Sequence, residues 1–278
     1  MNCLMFFKML LAFSFISLFY VGNAQQSYGN STVSALFAFG DSILDTGNNN
    51  LLLSVSKVNF YPYGRDFIAE GLGLKNLLPA YRDPYLWNND LTTGVCFASG
   101  GSGLDPITAR TTGSIWVSDQ VTDFQNYITR LNGVVGNQEQ ANASLYDMGA
   151  RKFAVMGTLP LGCLPGARAL TRACELFVNQ GAAMFNQQLS ADIDNLGATF
   201  PGAKFVYVDM YNPLLGLIIN PQPSGFIDVA DACCCTPTHL IPCLDASRYV
   251  FWDVAHPTQK SYETIAPQII ENIKAKLA

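Results

Sequence analysis

The sequence predicts an α/β protein built on a parallel sheet. Three short apolar runs, at 35–39, 153–156 and 205–208, each stop where glycine or polar residues begin, as buried strands do. Two longer stretches, 174–196 and 257–277, repeat apolar residues at helical spacing. Strand and helix alternate along the chain, and that order favours parallel strands joined by helical crossovers. Parallel sheets hold ligands at the carboxyl ends of their strands. The residues just past each run are therefore the first place to look for chemistry.

The elements follow in chain order. Residues 1–24 hold one cation, Lys8, then an apolar run over 9–21, then Gly22-Asn23-Ala24. A cation, an apolar stretch and small residues at the −3 and −1 positions form the pattern of a secretory signal peptide, here cleaved after Ala24. The run is shorter than the ~20 residues of a spanning helix, so secretion is expected and stable membrane insertion is not. Cleavage removes Lys8 and no acid, taking the net charge from −5 to −6. Residues 25–278 then read as one domain, long and apolar enough to bury a sizeable core. The acidic balance and the lack of basic runs argue against nucleic-acid binding. Asn30-Ser31-Thr32 and Asn142-Ala143-Ser144 have the form of glycosylation acceptors.

The run at 35–39 leads into Phe39-Gly40-Asp41-Ser42-Ile43-Leu44-Asp45-Thr46-Gly47-Asn48-Asn49, which sets Ser42 just past a strand end. Toward the other terminus, Phe251-Trp252-Asp253-Val254-Ala255-His256-Pro257 sets an acid three residues before a histidine. Pro257 suits the first turn of the helix that follows, while Pro267 removes one of its backbone bonds. Ser42, His256 and Asp253 supply a nucleophile, a base and an orienting carboxylate, the parts of a serine hydrolase. The chain's second histidine, His239, has no acid three or four residues before it and reads as a loop residue. Asp41 reads as a cap on the turn after the strand. Asp45 reads as structural, and Gly47, Asn48 and Asn49 as a turn. Ser99-Gly100-Gly101-Ser102-Gly103 is no dinucleotide fingerprint, since no long helix and acidic residue follow a G-x-G-x-x-G. In the 174–196 helix, Leu176, Phe177, Met184, Phe185, Leu189, Ile193 and Leu196 are the expected apolar face.

Taken together, these motifs resemble the plant GDSL-type esterases and lipases of the SGNH hydrolase superfamily. The resemblance runs in blocks at 39–50, 61–67, 94–103, 145–165, 205–215 and 249–258. It implies a flavodoxin-like three-layer α/β/α fold, an ester or acyl-lipid substrate, and catalysis with no cofactor and no metal. It implies Ser42 as nucleophile, His256 as base and Asp253 as its partner. It also implies an oxyanion hole made by the N–H groups of Ser42 and Gly101 and an asparagine side chain. Relatives pair the positions of Cys163 and Cys174. At least one of Cys233, Cys234 and Cys235 is expected to pair with Cys243, and Cys96, where relatives carry asparagine, is expected to stay free. Three adjacent cysteines lack the ligand spacing of a zinc site.

The asparagine has no counterpart. Between Asn142 and Leu145 relatives have a long segment with a strand and a glycine-x-asparagine-aspartate turn. A smaller gap follows Arg65-Asp66-Phe67. The sheet is thus expected to lack a central strand, and the oxyanion hole one donor. Two functions follow: a secreted serine esterase/lipase, or a catalytically impaired relative that acts as a binding protein or is a non-functional product.

Overall fold

The computed structural model describes residues 33, 35–57, 67–135, 145–146, 150–236 and 240–277. The leader at 1–24, His239, Asn137 and both glycosylation acceptors, Asn30 and Asn142, lie outside these residues.

Among the described residues two pairs of strands form. β1, Lys152–Met156, runs parallel to β2, Lys204–Val208, in register from Lys152 opposite Lys204 to Met156 opposite Val208. β3, Asp228–Ala232, runs parallel to β4, Tyr249–Phe251. β1 and β2 each start one residue before the apolar runs that predicted them. β3 was not expected, because Asp228 and Asp231 break its apolar run.

The helices are α1, Phe67–Gly71, α2, Asn88–Leu91, and α3, Pro106–Thr112, then α4, Val117–Val135, α5, Leu176–Thr199, α6, Tyr211–Ile219, and α7, Gln259–Leu277. α3 shows local sequence control clearly. The Asp105 carboxylate accepts the Ile107 N–H, Pro106 opens the first turn, and Gly113 closes the last in the left-handed region at φ 68°.

Alternation along β2 builds three layers. Val206 and Val208 are buried with Ile265, Ile269 and Ile273 of α7. Tyr207, on the other face, reaches toward Gly157 beside Asn186 of α5, and the Phe205 ring packs on Phe200 at the end of α5. Side chains on a strand point alternately to opposite faces, so α5 and α7 sandwich the β1–β2 pair.

The run at 35–39 is extended but forms only an isolated bridge, Ala38 with Cys96. Parallel bonds lie on one side of it. Leu36 N–H donates to Thr93 O, Ala38 N–H to Val95 O, Phe97 N–H to Ala38 O and Ser99 N–H to Gly40 O. Phe37 and Phe39 pack against Phe124 of α4, while Leu36 meets Leu72, Ala266 and Ile270. Among the described residues no ladder joins this segment to β1. The parallel architecture is thus split between the first strand and β1, with α7 packed under both parts.

Two expectations fail. α5 buries only Ala182, Asn186 and Ile193, while Phe177 is 85% and Met184 70% exposed. A two-stranded sheet, with strands only about 4.8 Å apart, is too narrow to cover the helix's apolar side. α7 begins at Gln259, and Pro257 instead bridges Phe251. The cause is Thr258, whose hydroxyl accepts the Ser261 N–H and caps the helix.

Cysteine pairing follows expectation at Cys163–Cys174 and Cys233–Cys243. Cys234 and Cys235 pair with each other. Cys96 stays free and fully buried, its thiol donating to Leu44 O, and burial pushes its pKa up to about 12.

Candidate active site

Ser42 sits in a tight turn at the end of the first strand. Asp41 caps that turn as expected: its Oδ1 accepts the Ile43 N–H at 3.0 Å and its carbonyl accepts the Leu44 and Asp45 N–H groups. Gly40, at φ 136°, gives the backbone the reversal an L-residue resists.

The other side of the site is the turn between β4 and α7. Asp253 Oδ1 accepts the N–H groups of Ala255 at 2.9 Å and His256 at 2.8 Å. These bonds curl the chain so that the His256 ring falls back on the same carboxylate, with Nδ1 2.8 Å from Oδ2 and 2.9 Å from Oδ1. Trp252 N–H donates to His256 O across the turn. Asp253 and His256 thus come together through a turn before the helix, not through the first turn of the helix. On the far side of the ring, Nε2 lies 2.7 Å from Ser42 Oγ. Asp253 is buried and the other two are half-buried. A hydroxyl, an imidazole and a carboxylate now stand in series, although 214 residues separate the first from the second.

Gly100 packs against Ser42, where an added Cβ would come within 3.4 Å of the serine Cβ, and Gly101 follows it at φ 82°. A Cβ there would come within 2.7 Å of Thr112 Oγ1 and 2.9 Å of Ser114 Oγ, so only glycine fits. The neighbouring Gly100 N–H is taken by Asp45 Oδ2 at 2.7 Å. The N–H groups of Ser42 and Gly101 make no hydrogen bond among the described residues.

What fixes the glycine loop against the serine turn was missed in the sequence. Asp45 Oδ1 also accepts the Gly47 and Asn48 N–H groups, and burial raises its pKa despite these three donors. Asn48 Nδ2 donates to Cys96 O and Ala98 O; Asn49 Nδ2 donates to Ser56 O and Gly100 O. Gln120, fully buried, clamps both backbone groups of Gly40 and donates to Ser102 Oγ. Asn48 and Asn49 are thus more than turn formers. The available signal was three polar residues, Asp45, Asn48 and Asn49, crowded behind a strand end, which must find partners if buried.

Among the described residues, no group of three or more histidine, cysteine or acidic side chains could hold a metal ion. Cys233, Cys234, Cys235 and Cys243 are all tied up in disulfides. Asn137 and Asn142, the nearest asparagines to the expected gap, lie outside the described residues.

A serine, histidine and aspartate in this order define the serine hydrolase arrangement. Residues 131–269 match the family of GDSL-like lipases and acylhydrolases, a stretch that includes Asp253 and His256 and begins after Ser42. Over its whole length the chain is 80% identical to GDSL esterase/lipase At1g73610 of Arabidopsis thaliana, covering all of both chains. It is 55% identical to GDSL esterase/lipase At1g23500 of the same plant, again with all of both covered. It is 40% identical to GDSL esterase/lipase EXL4, covering 90% of this chain and 94% of the other. The chain belongs to the GDSL-like lipase/acylhydrolase family, whose fold is a three-layer α/β/α sandwich.

The first alignment spans 344 positions against a chain of 278, so at least 66 positions (344 minus 278) are empty on this side. With so many empty, 80% is close to the ceiling, and the residues present match nearly throughout.

Proposed function

We propose that this chain hydrolyses carboxylic esters, acyl lipids among them, through an acyl-enzyme on Ser42. One observation carries the reading: His256 Nε2 lies 2.7 Å from Ser42 Oγ while Nδ1 faces the buried Asp253. That geometry allows Ser42 Oγ–H to donate to Nε2, and Nδ1–H to donate to Asp253. Ser42 Oγ attacks the acyl carbonyl as its proton passes to His256. Asp253 holds the ring in this tautomer and stabilises the imidazolium. The carbonyl oxygen, now negative, is read as accepting from the N–H groups of Ser42 and Gly101, which have no other partner among the described residues. His256 then protonates the leaving alcohol; a water gives its proton to the same nitrogen and attacks the acyl carbon, and the acid leaves as the bond to Ser42 Oγ breaks and the proton returns to that oxygen.

The protein is read as secreted, with residues 1–24 as its leader and 25–278 as the mature domain. Three disulfides fit an oxidising compartment. No helix among the described residues is long and apolar enough to cross a membrane.

The 66 absent positions favour the second reading, a binding protein without useful activity. p-Nitrophenyl acetate hydrolysis by the purified mature chain decides between them. Activity above a Ser42→Ala control, with fluorophosphonate labelling of Ser42, is expected. A folded protein with neither would overturn the enzyme reading.

A further inference from the structure

The gap in the sheet has two free edges. On β1 the groups that face β2 are identified by the bonds at its ends: Lys204 N–H donates to Arg151 O, and Gly157 N–H donates to Val208 O. Backbone groups alternate sides along a strand. Residues 151, 153, 155 and 157 therefore face β2, and Lys152, Ala154 and Met156 face away from it. None of these three has a partner strand on that side among the described residues, and Ala154 is exposed. On the first strand, Leu36, Ala38 and Gly40 bond toward 93–99. The backbone groups of Phe37 and Phe39 face the other way and make no hydrogen bond among the described residues.

The carboxyl ends beside the two edges border one core. Ile43 just past the first strand, Leu159 just past β1 and Met210 just past β2 meet in one core cluster, so the three carboxyl ends converge. α7 runs beneath both parts, with Ala266 and Ile270 under the first strand and Ile265, Ile269 and Ile273 under β2. An extended segment laid between the edges would be parallel to both and would find an apolar floor. The relative that is 80% identical carries 66 positions (344 minus 278) that this chain lacks.

We propose that the edge of β1 together with the edge at Phe37 and Phe39 is an acceptor site for one parallel β-strand donated by a polypeptide other than a second copy of this chain. The strand has the chemistry of the segment absent here: extended, apolar on both faces, and free of proline at the bonded positions. Main-chain bonds on two sides would give affinity, as in strand addition to a sheet edge. The proposal rests on the split sheet and the alignment, not on the catalytic reading, and its test reads stability.

The probe is a set of synthetic peptides tiling the positions of At1g73610 that have no counterpart here, added to the purified mature chain. One peptide is expected to raise the melting temperature by roughly 5–10 °C at a hundredfold excess over its Kd. Ala154→Pro removes one outward N–H and leaves the β1–β2 ladder intact, since proline is tolerated where the N–H faces off an edge. It should abolish the shift while melting on its own close to the unaltered chain. If Ala154→Pro does not fold, the same peptide N-methylated at alternate residues serves instead, and both of its methylation registers should bind far more weakly, since each removes the bonds to one edge. A set in which no peptide shifts the melting temperature would overturn the proposal. So would a shift that survives both Ala154→Pro and N-methylation. A stable dimer by light scattering that Ala154→Pro converts to monomer would assign the edge to a second copy and overturn it equally.

Discussion

If the Gly101 N–H is the oxyanion donor proposed above, Asp45→Asn separates holding its loop from doing the chemistry. The carboxylate accepts three backbone N–H groups, two on Oδ1 and the Gly100 N–H on Oδ2. An amide of the same shape keeps one oxygen, enough for Gly47 and Asn48, and turns its NH2 toward Gly100. Donor then faces donor. A hydrogen bond to a charged group contributes about 1.5–3 kcal/mol. If that energy appears as freedom of the 99–101 loop, the Gly101 N–H is aimed worse by the same amount, about 10- to 150-fold in rate. Complete loss of one oxyanion donor sets a ceiling of about 2.7–4 kcal/mol. The expectation is a fall in kcat of roughly 10- to 100-fold with KM nearly unchanged, because the bond aims a group at the transition state. Steady-state kinetics on p-nitrophenyl acetate measures it. A folded Asp45→Asn protein with kcat within about twofold of the unaltered enzyme would refute the positioning argument. The pH dependence adds a second readout. Burial raises the folded pKa above 3.8, so the Asp45 contribution to stability is complete below that value and is lost as pH rises through the folded pKa. The unaltered chain should therefore gain on Asp45→Asn in urea unfolding as pH is lowered from about 7 toward 4.

Other outcomes follow from the same geometry. Replacing Cys163 and Cys174 together by alanine should cost on the order of 3 kcal/mol, the chain-entropy value for a short loop, measured by denaturant unfolding; no loss would show that the loop is held by its other contacts. The esterase rate should be about a hundred- to a thousandfold below that of At1g73610 if the absent segment supplies an oxyanion donor. Parallel kcat/KM measurements test this, and equal rates would show that the donor is replaced or dispensable.

The site was more legible than the sheet. Ser42, Asp253 and His256 could be read because each stands in a short motif whose chemistry is local: a turn after a strand, and an acid that wraps its own histidine. The means of wrapping was misread. Pro257 looked like a helix start, but Thr258 holds a better capping hydroxyl. The roles of Asp45, Asn49 and Gln120 are long-range, across 55, 51 and 80 residues to Gly100 and Gly40, and no local pattern announces such partners. β3 carries two aspartates in five residues, which no apolar periodicity would find. α5 has the periodicity of a buried helix and is largely exposed, since periodicity records which face is apolar and not how wide a sheet there is to cover it.

The site is assembled from two parts that meet through few elements. Ser42 and Gly101 belong to the first strand and its partner at 93–99, while Asp253 and His256 belong to the turn into α7. No ladder among the described residues crosses from one part to β1. Beyond Ile43, which reaches the core of β2, docking falls to α7, and on α7 to Ile270, which packs with Leu72, Leu74 and Leu36 and fills the space that a side chain at Gly71 would need. Ile270→Ala should cost about 2–5 kcal/mol, the range for a buried isoleucine that leaves a cavity. The neighbours Ile265, Ile269 and Ile273 face the β1–β2 side and are untouched. The loss should therefore fall on the docking of the first part. Esterase activity in Ile270→Ala should disappear at a temperature below the main far-UV transition, because Ser42 leaves His256 before β1 and β2 separate. The unaltered chain should show the two curves closer together. Activity and far-UV signal that fall together in Ile270→Ala, with the spacing of the unaltered chain, would mean that the two parts unfold as one unit and that other contacts carry the join.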